Sequence, residues 1–188
     1  MHPTPAFDPI ALLQKYYLPH TRAYAILKQH SQAVADKALA VATRLHARHP
    51  LDLALVFEGA LLHDIGILYT ATPSLGCYGQ QPYICHGLLG AELLRREGLP
   101  HHAQVCENHI GVGLTREDIL RQNLPLPHRD MVPETLEQQI IAYADLFFSK
   151  NPKKLGTERS VEQVRRSLNG FGHEKVLIFD RWHERFEL

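Results

Sequence analysis

The chain has 188 residues, enough for one domain around one sizeable core and barely enough for two. Its 45% hydrophobic and 21% charged residues exclude a disordered segment, a collagen-like repeat and a disulfide scaffold. Lysine plus arginine equals aspartate plus glutamate at 20 each, so no net field draws long nucleic acid, an acidic membrane surface or a polycationic partner, and any anionic substrate must be held locally.

The longest apolar stretches, such as 51–62, are interrupted by Asp52 and Glu58 and are too short to span a bilayer. Pro3, Pro5 and Asp8 stand where a signal peptide needs a basic segment and an apolar run, so a cytoplasmic protein is expected. Cys77, Cys85 and Cys106 are odd in number and show no CxxC spacing, which predicts free thiols in place of disulfides or a thiolate zinc site. Histidine is the anomaly, with 13 residues. Surface positions account for His2, His20, His46, His49, His101, His102, His128, His173 and His183, and the other four are organised.

In chain order, Asp8-Pro9 reads as an N-cap followed by proline at the first helical position of a short helix through Tyr17. From about 20 to 48, Ile26, Leu27, Val34, Ala38, Val41 and Leu45 recur at three- and four-residue intervals, as on helices packed by one face. A helix follows Asp52, and its apolar positions continue onto His63 and Asp64 before Gly66 ends it. Residues 69–85 read as an irregular loop that borders a site. Helices are predicted over about 86–97 and 101–109, with Gly98-Leu99-Pro100 as the stop between them. Thr115 and Asp118 suggest a capped short helix through Arg121, and three prolines make 124–133 a second long loop. Leu136, Ile140, Ile141 and Ala144 mark the buried face of a helix over about 134–150, with Asp145 one turn after Ile141. Two amphipathic helices, 160–168 and 173–186, complete the chain, and Val176, Phe179, Trp182 and Phe186 cover either its own core or a partner's. No alternation of period two stands out, so the expected fold is all-α, a single-domain helical bundle over 1–188.

His30, the adjacent His63-Asp64, His86, His109 and Asp145 fall near helix ends or on helix faces that point into one bundle. A buried carboxylate needs a cation, and imidazole with carboxylate suits iron, manganese, zinc, cobalt or nickel. Six donors are many for one ion: with His30, His63, Asp64 and Asp145 around one, His86 and His109 complete a second and Asp64 bridges.

His63-Asp64-Ile65-Gly66 resembles the HDIG motif of the HD-domain superfamily of metal-dependent phosphohydrolases. The order of that superfamily's upstream histidine, His-Asp pair and distal aspartate is matched by His30, His63 with Asp64, and Asp145, over about 25–150. His86 and His109 match the two extra histidines of its dinuclear members. The segments 109–114 and 132–145 resemble a little-characterised branch of small stand-alone HD proteins. The resemblance implies a helical bundle holding one or two divalent transition-metal ions, with Asp64 and His63 at the catalytic centre. It also implies hydrolysis of a phosphoester by metal-activated water. Branches with an acidic residue just after the motif, or lysine directly after its glycine, fit less well, because Ile67, Leu68 and Tyr69 stand here.

Substrate phosphate also needs cations from the protein. Arg116 and Lys150 are the expected contacts, with Lys153, Lys154 and Arg159 available if the chain folds back. Balanced charge favours a small phosphorylated metabolite or a nucleotide over a polymer. Two other classes share the donor set: a di-iron oxygenase of the HD type, which requires dioxygen, and a nucleotide-binding module without turnover, which does not require six donors.

Overall fold

The computed structural model describes residues 7–187, so the expectations placed on His2, Pro3 and Pro5 lie outside it. The Asp8 carboxylate accepts the Ile10 and Ala11 N–H groups and starts helix α1 (Pro9–Tyr16) at Pro9. Thr21 caps α2 (Arg22–His46), one unbroken helix of 25 residues, and Asp52 caps α3 (Leu53–Leu62). The predicted starts after Asp8 and Asp52 therefore sit where the structure uses them, while the Thr21 cap did not stand out in the sequence.

The third helix stops earlier than expected. It ends at Leu62, His63 and Asp64 form a break, and the backbone tightens into a 3₁₀ turn over Ile65–Tyr69. The buried Tyr17 hydroxyl holds that turn, donating to the Ile65 carbonyl (2.8 Å) and accepting the Leu68 N–H (2.7 Å). The loop 69–85 holds a two-residue antiparallel ladder of β1 (Ala71–Thr72) and β2 (Cys77–Tyr78), with Ala71 opposite Tyr78 and Thr72 opposite Cys77. Strands this short carry no readable alternation, which is why the sequence reads only as a loop there.

Helices α4 (His86–Arg96) and α5 (Pro100–Asn108) are joined through Gly98 in the left-handed region. Thr115 and Asp118 form the expected reciprocal cap on α6 (Arg116–Arg121). Helix α7 (Leu136–Asp145), capped by Thr135, is shorter than predicted at both ends. After Asp145 the chain turns by three-residue bonds, Phe147 N–H to Ala144 and Phe148 N–H to Asp145, so Lys150 sits past the helix in irregular chain and not on its last turn. Helices α8 (Val161–Asn169) and α9 (His173–Glu187) close the bundle. Val176, Phe179, Trp182 and Phe186 pack into the chain's own core with Val34, Val41 and Tyr143.

Two apolar clusters meet at the site. One gathers the later part of α2, the body of α3 and α7 to α9. The other gathers α1, the start of α2, the 3₁₀ turn, α4 and much of α5. His30 lies between Leu27 of the second cluster and Val34 of the first, and the His63-Asp64 break lies at the corresponding seam of the next helix. The three cysteines are free and buried. Two histidines expected only at the surface are half-buried with partners: His102 Nε2 lies 2.8 Å from the buried Glu58 carboxylate, and His183 Nδ1 lies 2.8 Å from the Tyr143 hydroxyl. Among the described residues no helix is long and apolar enough to cross a membrane.

Candidate metal centre

The six residues singled out from the sequence arrive from five places in the chain. His30 points inward from the middle of α2, His63 and Asp64 occupy the break after α3, His86 opens α4, His109 follows the last residue of α5 and Asp145 ends α7. The break can lie against α4 and α5 only because side chains are missing there. A Cβ on Gly66 would stand 2.1 Å from the His86 carbonyl, and one on Gly90 would stand 2.4 Å from Cys106 Sγ.

Three imidazoles are oriented in the same way. Nδ1 of His63, His86 and His109 lies 2.6, 2.6 and 2.7 Å from the carbonyl three residues earlier, of Ala60, Tyr83 and Cys106. A carbonyl only accepts, so Nδ1 is the donor in each and Nε2 is turned toward the cluster with its lone pair available when the ring is neutral.

Asp64 stands at the centre. Its Oδ2 lies 3.2 Å from Nε2 of both His30 and His63, and its Oδ1 lies 3.3 Å from His86 Nε2 and 3.5 Å from His109 Nε2. Asp145 Oδ1 lies 2.9 Å from His30 Nε2 and 3.4 Å from His63 Nε2. The structure thus gathers all six, with one carboxylate facing two groups of donors. These atoms are close without aiming at one another: His30 and His63 Nε2, both Asp64 oxygens and Asp145 Oδ1 are buried and make no well-directed hydrogen bond. Buried polar atoms are normally satisfied, so several bare donors converging on a common point fit a cation between them. Nitrogen and carboxylate oxygen together suit a divalent first-row metal. His30, His63 and Asp145 form one group tight enough to hold an ion, and His63, Asp64 and His109 another.

The charges agree with this. Burial acts to raise the carboxyls of Asp64 and Asp145, but the neighbouring histidines and Lys150 outweigh it and hold both well below the usual range. Burial acts to lower His63, yet Asp64 and Asp145 push it up to about 10. Burial dominates for His109, which falls to about 4. Lys150 Nζ lies 2.7 Å from Asp64 Oδ2 and 3.8 Å from Asp145 Oδ1; burial opposes its charge, and these carboxylates restore it and raise it well above the ordinary lysine value.

Beside the cluster opens a cavity of about 650 Å³, lined by Lys150, Arg22, Tyr83 and Arg159 among others. Arg116 does not line it; it is exposed at the start of α6, where its backbone N–H binds Asp130 (2.7 Å). Sequence reasoning missed Tyr83, whose ring stacks on His86 at 4.6 Å between centroids and whose carbonyl orients that histidine. The readable signal was its position three residues before His86. It also missed Arg22, which nothing in the sequence distinguishes from other surface arginines, and Tyr17, whose hydroxyl pins the turn after Asp64.

A family model described as HD domain matches residues 27–148, well over half of the chain and from just before His30 to just past Asp145. The chain belongs to the HD-domain family. Over 141 residues it is 36% identical to a tRNA (cytidine(56)-2'-O)-methyltransferase of Thermoplasma volcanium, a match covering 74% of this chain and 36% of that protein. It is 39% identical over 119 residues to an uncharacterized protein of Methanocaldococcus jannaschii, covering 62% and 63%. Over 106 residues it is 40% identical to a tRNA (cytidine(56)-2'-O)-methyltransferase of Picrophilus torridus, covering 56% and 27%. The chain thus spans from about a quarter to somewhat under two thirds of these relatives' lengths. Among solved structures, its HD fold is similar to the HD domain of the Listeria monocytogenes phosphodiesterase PgpH. The TM-score is 0.52 at 19% identity, covering 90% of this chain and 94% of that one. The same domain in complex with cyclic-di-AMP gives 0.53 at 20% identity, covering 91% and 92%. At such identities the likeness shows the fold alone.

Proposed function

We propose that this chain is a metal-dependent phosphohydrolase that cleaves a phosphoester of a small phosphorylated metabolite or nucleotide. One or two divalent transition-metal ions would be held by His30, His63, Asp64, His86, His109 and Asp145. The observation that carries the reading is the convergence of bare, buried imidazole and carboxylate atoms beside a cavity lined by lysine and arginine. The placement of Asp64 between two groups of histidines supports a pair of ions over one.

A divalent ion in such a site supplies a water that ionises near neutral pH and positive charge for the phosphoryl oxygens. The protein does the rest. Asp64 and Asp145 set the negative charge of the centre, and the Nδ1 bonds of His63, His86 and His109 fix which nitrogen faces inward. Lys150 and Arg22 line the cavity where substrate oxygens arrive and would neutralise them. Tyr83, stacked on His86 at the same wall, offers an aromatic face to an organic group of the substrate.

A di-iron oxygenase would share the donors and could use the same cationic lining for an anionic substrate, so dependence on dioxygen is what separates the two. The PgpH domain's complex with cyclic-di-AMP makes that dinucleotide a natural member of a substrate panel, and the relatives' names add tRNA to it. The test is phosphate or nucleotide release from that panel with manganese, cobalt, zinc or ferrous iron, for wild type and Asp64→Asn. Release that requires the metal and falls to background in the variant is expected. No release from any member, with consumption of dioxygen by the iron form, would overturn the reading.

A further inference from the structure

The cavity beside the metal centre does not end at Lys150. A second cavity of about 460 Å³ adjoins it, and the two share Ser149, Asn151 and Arg159 as common wall. The outer one adds Lys153, Lys154 and Arg166. Arg159 is fixed at the junction: its backbone N–H donates to the Phe147 carbonyl (2.8 Å) and its guanidinium Nη1 to the Leu146 carbonyl (3.2 Å).

The charge here is one-sided. No carboxylate lines the inner cavity, and Glu158, the one lining the outer cavity, is engaged by Lys37 at 2.8 Å. Among the described residues, Lys153, Lys154 and Arg166 form no salt bridge. In a chain whose formal charge sums to zero, three unpaired cations round one hollow form a local positive field that concentrates anions.

We propose that the outer cavity is a second phosphate subsite, and that the substrate is a small molecule carrying at least two phosphate groups. One would be presented to the metal centre past Lys150. The other would be held by Lys153, Lys154 and Arg166, with Arg159 between them. The inference rests on the phosphohydrolase reading for the role of the inner cavity, but the outer subsite binds anions whether or not turnover occurs. A small ligand is favoured over a nucleic-acid strand because the cationic lining belongs to two adjoining hollows and the chain as a whole has no basic excess.

The experiment is calorimetric titration of the full chain with inorganic tripolyphosphate and with orthophosphate. Wild type is compared with Lys153→Ala/Lys154→Ala/Arg166→Ala and with a charge-matched control at exposed positions away from both cavities, Arg48→Ala/Arg96→Ala/Arg181→Ala. Circular dichroism checks that all three fold. Wild type and the control are expected to bind tripolyphosphate about tenfold or more tighter than orthophosphate, a margin that ion contacts of this kind supply. The subsite variant should lose that margin and keep its orthophosphate affinity. Equal margins in all three proteins, or equal loss in control and subsite variant, would overturn the proposal. So would tight tRNA binding, sensitive to the subsite variant, without any preference for tripolyphosphate. If no phosphoester is hydrolysed but the margin disappears only in the subsite variant, the hydrolytic reading fails and the anion subsite stands.

Discussion

At the scale of single residues, the shape of the centre depends on the residues packed around the six converging imidazoles and carboxylates as much as on those six. The adjacent pair His63-Asp64 works because Gly66 lets the turn lie against α4, where a Cβ would stand 2.1 Å from the His86 carbonyl. Backbone cannot yield as a flexible side chain can, so Gly66→Ala is expected to cost about 3 kcal/mol or more of folding stability, read from chemical denaturation. An unchanged midpoint would mean that the turn and α4 separate freely. The six converging histidines and aspartates were legible in the sequence as a set because their order matched a known pattern. Tyr17, Tyr83 and Arg22 were not, since tyrosine and arginine have many ordinary uses and their roles come from where the loop 69–85 and the start of α2 are folded. Arg116 illustrates the reverse: closeness in sequence to His109 did not bring it to the cavity beside the cluster.

At the scale of elements, caps were readable and ends were not. Asp8, Thr115 and Asp118 announced their helices by their own hydrogen-bonding chemistry, whereas α3 and α7 stop at turns held by tertiary contacts such as that of Tyr17. A buried contact of this kind joins α6 to α9. The Lys175 ammonium donates to the Asp118 carboxylate and to the Gly113 carbonyl (3.0 Å), and both side chains are buried. Lys175→Met removes the buried one of the two cations on Asp118, Arg121 at 2.7 Å being the other, and is expected to cost about 2 kcal/mol, largely recovered in the double variant with Asp118→Asn. Additive losses in the double variant would show that the two residues act separately. Burial acts to raise the Asp118 carboxyl, but Lys175 and Thr115 outweigh it and hold it below the usual carboxylate range. A group lowered on folding contributes stability above its unfolded pKa, about 4, and loses it as pH falls through the lower folded value. Wild type should therefore lose stability on acidification more steeply than Asp118→Asn in that window, as thermal melts between about pH 5 and pH 2 would show; parallel curves would contradict it.

At the scale of the whole molecule, a helical bundle gathers most of its core in two large clusters, with a small third one around Ile119 and Met131, and places polar side chains where the two large ones meet. Periodicity in the sequence located the helices, but which cluster each joins follows from packing that no single helix encodes. The C-terminal helix shows this: its apolar face could have served a partner, and it instead completes the chain's own core around Tyr143. Phe179 is fully buried there, so Phe179→Ala is expected to destabilise by about 3 to 5 kcal/mol with the metal site intact in whatever remains folded. The cavity wall comes largely from 69–85, which reads as an irregular loop, and from 148–152, whose first residues the sequence placed on a helix, so the six converging residues were easier to foresee than the cavity beside them. Metal-dependent hydrolysis requires the centre between the two large clusters to hold metal ions. Elemental analysis of protein purified without chelator tests that most directly, on wild type, His86→Ala/His109→Ala and Asp64→Asn. Two first-row ions per chain are expected in wild type, one in the histidine variant and none in Asp64→Asn; a wild type free of such ions after reconstitution, or an Asp64→Asn variant that keeps its full complement, would contradict it.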